Sequence, residues 1–315
     1  MESLGPGLWA IDTGFQRPRF DAAYLLSDAG RAAFVDTGPN LAVPRLLQAL
    51  DDLGLARSDV DWVILTHVHL DHAGGSGLLM EALPRARLVV HPRGARHIVD
   101  PSRLLAGVRA VYGAEIAARD YGEPRPVDGE RIVQAVEGMN LSVGHRPLRF
   151  ADTPGHAYHH LCIWDESSRG WFSGDTLGVS YPEFDFGRAR FGIPSSTPTQ
   201  FDPEGLYQSV DRLMSAAPTV AYVTHYGAVR DVGAQAALVV EQTRAMVEMA
   251  KRVATSPARG ALLRECLAHL YQERLRRARG CSEVSEYMGL LEQDIELNAL
   301  GLEVWISAQQ QVKDR

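Results

Sequence analysis

Cysteine is scarce in this chain: three among 315 residues, at positions 162, 266 and 281, with no Cys-x-x-Cys. An odd and widely spaced set of thiols gives no disulfide framework, and free thiols fit a reducing compartment. Cys162 falls in the strand-like run Leu161-Cys162-Ile163-Trp164, where a buried thiol serves as a small hydrophobe. Long apolar runs are missing as well, so no segment reads as bilayer-spanning. The start, Met1-Glu2-Ser3-Leu4-Gly5-Pro6, has neither a positive n-region nor an apolar h-region, and the expectation is a cytoplasmic protein without a signal peptide. Basic charge is also in short supply: 32 Lys and Arg stand against 39 Asp and Glu, a net charge of -7. A nucleic-acid partner would want a basic face, so that class is disfavoured, and with it the expectation is no membrane partner and a small-molecule substrate.

What is present is an ordinary globular mix, 45% hydrophobic and 23% charged, with room for one large domain or one domain plus an appendage. Within it, Thr66-His67-Val68-His69-Leu70-Asp71-His72 gathers three imidazoles and a carboxylate in six positions. The motif follows Val60-Asp61-Trp62-Val63-Ile64-Leu65, which reads as a buried strand, and precedes Ala73-Gly74-Gly75-Ser76-Gly77 and a helical pattern. Alternation along an extended backbone puts His67 and His69 on one side. The turn into the helix then swings Asp71 and His72 toward a neighbouring point. Imidazole nitrogen with carboxylate oxygen suits zinc, iron or manganese better than calcium or magnesium. The spacing therefore suggests two adjacent metal positions. Chance clustering of surface or core histidines is the plainer alternative, and the strand-loop-helix context argues against it.

Three more motifs follow in order: Asp152-Thr153-Pro154-Gly155-His156, Phe172-Ser173-Gly174-Asp175-Thr176 and Val223-Thr224-His225-Tyr226-Gly227, each after an apolar strand-like run. Together with His-x-His-x-Asp-His, this series resembles the signature of the metallo-β-lactamase superfamily over about residues 8 to 230. The resemblance implies that His67, His69 and His156 bind one metal, that Asp71, His72 and His225 bind a second, and that Asp175 bridges them. The implied cofactors are two divalent ions, zinc first, with iron or manganese as alternatives. His69 stands where the flavodiiron branch usually has Glu, and no long insertion of the β-CASP nuclease kind is evident. Asp36-Thr37-Gly38 resembles a family segment that supports the metal loop; Asp36 could equally cap a helix beginning near Leu41.

The resemblance implies an α/β fold, a four-layer αβ/βα sandwich over residues 1–230 with a C-terminal all-helical extension over 231–315. Gly7 to Ile11, Ala22 to Leu26 and Ala32 to Val35 read as strands, the last two turned at Ser27-Asp28-Ala29-Gly30. Leu41 to Leu53 reads as a helix stopped by Gly54, and Arg87 to Val90 as a strand. Asp100 to Asp120 reads as one helix with Pro101 early in it. A second half is expected to run from Ile132 to Val136 through Val220 to Val223, with a helix from about Pro203 to Ser215. Beyond about Val232 the pattern turns helical, at Ala234 to Thr255, Ala261 to Arg279 and Ser285 to Ile306. His91, His97, His145, His160 and His269 match no ligand position of the family; His159, three residues past His156, could line the pocket but is expected to pack against neighbours.

Two metals of this kind make hydroxide available near neutral pH and polarise a carbonyl or phosphoryl oxygen. The function implied is a metal-dependent hydrolase using a metal-bridging hydroxide on a small ester, thioester, lactone or related compound, with Asp71 as the catalytic residue that orients it. In layout the chain is similar to glyoxalase II and to the quinolone-signal thioesterase, both of which append helices to the sandwich. A mononuclear-iron enzyme like the persulfide dioxygenases, and a non-catalytic sensor or binding module, are the alternatives. Tyr181, Phe184, Phe186 and Phe191, in the loop from Tyr181 to Gln200, could shape a substrate pocket or simply anchor the loop. The helical tail is expected to act as a lid, or as the interface of a homodimer.

Overall fold

Positive backbone φ at Ala29 (48°) and Gly30 (73°) supplies the tight two-residue turn that starts the architecture, closing a hairpin whose strands pair Asp28 with Arg31. A computed structural model describes residues 1–187, 191–196, 198 and 200–313, which fall into two units. The first comprises residues 1–152, 159–174 and 217–230 and holds all the strands of both sheets.

Its first sheet runs in chain order: β1 (Glu2–Gly5), β2 (Leu8–Asp12), β3 (Ala22–Asp28), β4 (Arg31–Val35), β5 (Val60–Ile64), β6 (Arg87–Val90) and β7 (Ile132–Gln134). Pairing is antiparallel from β1 to β4 and parallel from β4 to β7. Parallel neighbours need crossovers, and these carry the helices. They are α1 (Val43–Asp52), α2 (Leu70–Ala73), α3 (Ser76–Ala82), α4 (Pro92–Val99), α5 (Ser102–Tyr112) and α6 (Ala114–Asp120). The second sheet is ordered β13-β12-β11-β10-β9-β8, from β8 (Asn140–Val143), β9 (Arg146–Asp152), β10 (Leu161–Asp165), β11 (Gly170–Gly174), β12 (Val220–Val223) and β13 (Gly227–Val229). Only β11 and β12 pair in parallel there.

Alternation along the strands sorts side chains between two apolar cores. Leu25 and Phe34 join Val43, Leu46, Leu50 and Leu79 of the helices. Tyr24 and Val35 join Leu148, Phe150, Ile163 and Phe172 of the second sheet. Sheet therefore packs on sheet, with helices on the far side of the first, and the ends of β4, β5 and β12 deliver the loops that matter below.

The second unit comprises residues 153–158, 175–216 and 231–315. Its helices are α7 (Pro203–Ser215), α8 (Val232–Val253), α9 (Arg259–Arg279), α10 (Ser285–Gly289) and α11 (Glu292–Lys313). Leu263, Leu267, Tyr271 and Leu275 recur four residues apart along α9 and are fully buried, as expected of a helix that owes its stability to one apolar face. The chain at Leu177 and at Gly192 is tied to α8 by buried amides: Gln235 donates to the Leu177 carbonyl at 2.8 Å and Gln242 to the Gly192 carbonyl at 2.7 Å. No helix among the described residues is long and apolar enough to cross a membrane.

Several sequence expectations need correction. The run from Asp100 to Asp120 is two helices, because Gly113 takes φ 84° and breaks the hydrogen-bond ladder after Tyr112. Ile132–Gln134 belongs to the first sheet, parallel to β6, because the preceding helices form a crossover that returns it there. Ser285 to Ile306 is also split, α10 ending at Gly289. The edge strands β1 and β13 carried too short a pattern to read.

Candidate metal centre

His67 and His69 leave the end of β5 on extended backbone, and His69 then stands at the N-terminus of α2. His67 Nε2 faces His69 Nδ1 at 2.9 Å, so the two imidazoles address one point, as alternation requires. Asp71 and His72 lie inside α2, and the His72 ring stands beside His67 with centroids 4.0 Å apart. His72 Nε2 is 3.7 Å from Asp71 Oδ2, and His225 Nε2, from the loop after β12, is 3.8 Å from the same oxygen. One ligand atom from each of Asp71, His72 and His225 lies within 4.8 Å of the others. Two nitrogens and a carboxylate oxygen at that spacing fit a zinc-like divalent ion, whose ligands sit about 2.0–2.2 Å from the metal.

The loops are held by a common anchor. Asp36, at the end of β4, accepts hydrogen bonds from the Thr66 backbone N–H at 2.8 Å, from the Thr66 hydroxyl, and from the Thr224 hydroxyl at 3.1 Å. It also stands 3.2 Å from His72 Nδ1. A carboxylate on Nδ1 fixes the tautomer and turns Nε2 into the nitrogen that could take a metal. Asp36 thus ties together the loops carrying His67, His72 and His225, and the support role is the one the structure gives it. The Gly74-Gly75 pair has a steric reason: a Cβ at Gly74 would meet the Leu70 carbonyl oxygen at 2.4 Å and Pro39 at 3.2 Å.

In the second unit, His156 Nε2 is 3.4 Å from Asp175 Oδ2, and both residues are buried. His156 Nδ1 lies 3.0 Å from the Ser195 carbonyl oxygen. Nδ1–H therefore donates to that carbonyl, and Nε2 is the nitrogen left for a metal.

Tyr181, Phe184 and Phe191 are each 1% exposed, and they pack in the second unit against one another and against Tyr287 and Tyr271. That packing anchors the loop. Phe186 is half-buried and meets Tyr287 edge-on. Arg188, Ala189, Arg190, Thr197 and Thr199 of this loop lie outside the described residues.

His160, set aside in the sequence, adjoins the site, and His159 packs against neighbours there as expected. The buried His160 ring stacks on His67 with centroids 4.9 Å apart, and His159 Nδ1 accepts from the Val68 N–H at 3.5 Å. Their proximity to the Pro-Gly-His segment was the available signal. Burial pushes the Tyr121 phenol far above its ordinary value, and the Asp71 charge adds to the effect. His91 caps α4 by accepting from the Arg93 N–H at 3.0 Å.

Two packed mixed sheets with helices beyond the first, and a histidine- and aspartate-bearing loop at strand ends, define an α/β sandwich whose residues could hold a metal. The chain belongs to the metallo-beta-lactamase superfamily, whose model matches residues 17–225. Metallo-beta-lactamase fold-containing protein ST1585 of Sulfurisphaera tokodaii is 23% identical over 236 residues, 71% of this chain and 79% of that one. Its crystal structure superposes with a TM-score of 0.66 at 20% identity, covering 94% of this chain and 98% of that chain. A hydroxyacylglutathione hydrolase of Rhodospirillum rubrum is 28% identical over 148 residues, 47% of this chain and 43% of that protein. The atrochrysone carboxyl ACP thioesterase of Aspergillus fumigatus is 27% identical over 225 residues, 71% of this chain and 52% of that protein. The match thus spans about half the length of each of these two enzymes or less.

Proposed function

We propose that this chain is a metal-dependent hydrolase of small esters, thioesters, lactones or related acyl compounds. In this reading His67, His69 and His156 would hold one ion, Asp71, His72 and His225 would hold another, and Asp175 would be the carboxylate they share. The observation that carries it is the convergence of His72 Nε2 and His225 Nε2 on a single Asp71 oxygen, with Asp36 behind His72. The family model spans all seven residues in one match over 17–225, which supports assigning both sets of ligands to one centre. The likeness to an acylglutathione hydrolase and an acyl-carrier thioesterase supports a thioester or related acyl substrate.

A divalent ion held there would supply a Lewis acid for the acyl oxygen and would acidify a water molecule. The protein contributes the rest. Asp36 holds His72 in the tautomer that presents Nε2, and the Ser195 carbonyl does the same for His156. Asp71, partly exposed at the start of α2, orients the attacking water and carries its proton toward the leaving group. Phe186 is the loop aromatic with surface left for a ligand, while Tyr181, Phe184 and Phe191 shape the loop around it. The helices of 231–315 act as a lid or an interface.

The test is a screen of zinc- and manganese-loaded protein against thioesters, lactones and phosphoesters. Turnover confined to acyl substrates is expected. Oxygen-dependent oxidation of a persulfide, with every acyl substrate left intact, would overturn the reading.

A further inference from the structure

One side chain of the C-terminal helices reaches back to the backbone that holds His156. Asn298, on α11, is 2% exposed. Its Oδ1 accepts from the Ser196 backbone N–H at 2.7 Å and from the Ser196 hydroxyl at 2.8 Å. Its Nδ2 donates to the Pro194 carbonyl at 3.0 Å and to the Tyr271 hydroxyl at 2.8 Å. The donor and acceptor ends of the amide are settled by these partners, since a backbone N–H only donates and a carbonyl only accepts. The two backbone contacts fall on either side of Ser195. Between them sits the one carbonyl that takes the Nδ1 proton of His156, at 3.0 Å.

We propose that Asn298 is a positioning residue for His156: its amide clamps the peptide groups flanking Ser195, and the clamped carbonyl fixes the tautomer and direction of the imidazole. This inference rests on reading His156 as a metal ligand. The physical argument is one of geometry under burial. A free loop carbonyl offers a moving acceptor, and a histidine whose Nδ1 partner moves loses its aim at Nε2. A buried primary amide engaged at all four of its hydrogen-bonding sites is rigid, because breaking any one leaves a polar group without a partner. Tyr271 completes the set from α9; it is itself fully buried and donates to Met246 of α8 at 3.8 Å. Three helices of the extension thereby bear on the carbonyl that orients His156. The extension becomes part of the support of the metal centre in addition to any lid or interface role.

The experiment is competitive titration of the metal-free, full-length protein with zinc against a chromophoric chelator, for wild type, His156→Ala, Asn298→Ala and Tyr271→Phe. His156→Ala identifies the binding step that depends on that ligand. Asn298→Ala should weaken the same step about tenfold or more, the usual cost of losing an outer-shell partner, and leave the other step unchanged. Tyr271→Phe keeps both contacts flanking Ser195 and frees only one amide hydrogen, so it should weaken that step clearly less than Asn298→Ala even if it lowers thermal stability as much, which a purely structural role for Asn298 would not separate. If Asn298→Ala does not fold, Asn298→Asp serves instead: it keeps the acceptor toward Ser196, severs the Pro194 contact, and should weaken the same step. Wild-type affinity in a folded Asn298 variant, or equal weakening of every step, overturns the proposal while leaving His156 a ligand. Wild-type titration of His156→Ala would instead overturn the ligand reading beneath it.

Discussion

The Asp36 carboxylate lies 3.2 Å from His72 Nδ1 while also accepting from Thr66 and Thr224, so one buried anion aligns three loops of the site. Replacement by Ala removes the acceptor for all of them at once. Asp36→Ala should weaken zinc binding by about 10- to 100-fold, as loss of an outer-shell carboxylate does. Stability of the metal-free protein should also fall by about 1–3 kcal/mol for each buried donor left unsatisfied. Zinc titration and urea unfolding of the same preparation measure the two effects. Wild-type values in both would mean that Asp36 neither orients His72 nor anchors the loops.

Gly155 precedes His156 with φ 138°, and a Cβ there would meet the Leu206 Cα at 2.4 Å and its N at 2.5 Å. Backbone of α7 cannot swing aside as a flexible side chain can. Gly155→Ala should cost about 1–3 kcal/mol or more, combining strained backbone with the clash, and should impair zinc binding through the neighbouring histidine. Gly138→Ala is the internal control, since Gly138 also has positive φ (74°) but nothing within 4 Å of its ideal Cβ. Equal unfolding midpoints for the two variants would contradict the packing argument.

Glu296 of α11 is held below its ordinary value by the hydrogen bonds from Arg264 of α9, whose fork spans both carboxylate oxygens. A depressed folded-state value means that the pair's stabilisation is present above the unfolded value near 4.5 and is lost as pH falls through the lower folded one. The pair is partly exposed, so its contribution is no more than about 1 kcal/mol. Glu296→Gln should therefore lower thermal stability slightly at pH 7 and by less at pH 3. Thermal unfolding at both pH values decides this, and an equal loss at each would contradict it.

Legibility from sequence divides along a physical line. That His67, His69, Asp71, His72, His156, Asp175 and His225 fall in loops or turns beside strand ends was legible, because the apolar runs before them mark those ends; their joining as ligands of one centre belongs to the proposal above. Helix α7 and strand β6 were readable to the residue, because their apolar periods are unbroken and their ends are marked. Asn298 was not readable. It is one polar residue inside an apolar helical pattern, and its partner Ser196 is 102 residues away. The sheet to which Ile132–Gln134 belongs was equally hidden, since a strand's own residues specify a face and not a neighbour. The partners of Tyr181 and Phe191 depend on helices that arrive much later in the chain.

The most direct measurement of the central claim is thioester hydrolysis by the purified protein before chelation, after exhaustive chelation, and after zinc is returned, with metal content determined at each stage. The expected result is two divalent ions per chain at the start, loss of turnover as they are removed, and recovery in proportion to the zinc restored. Undiminished hydrolysis by protein stripped of metal would contradict it.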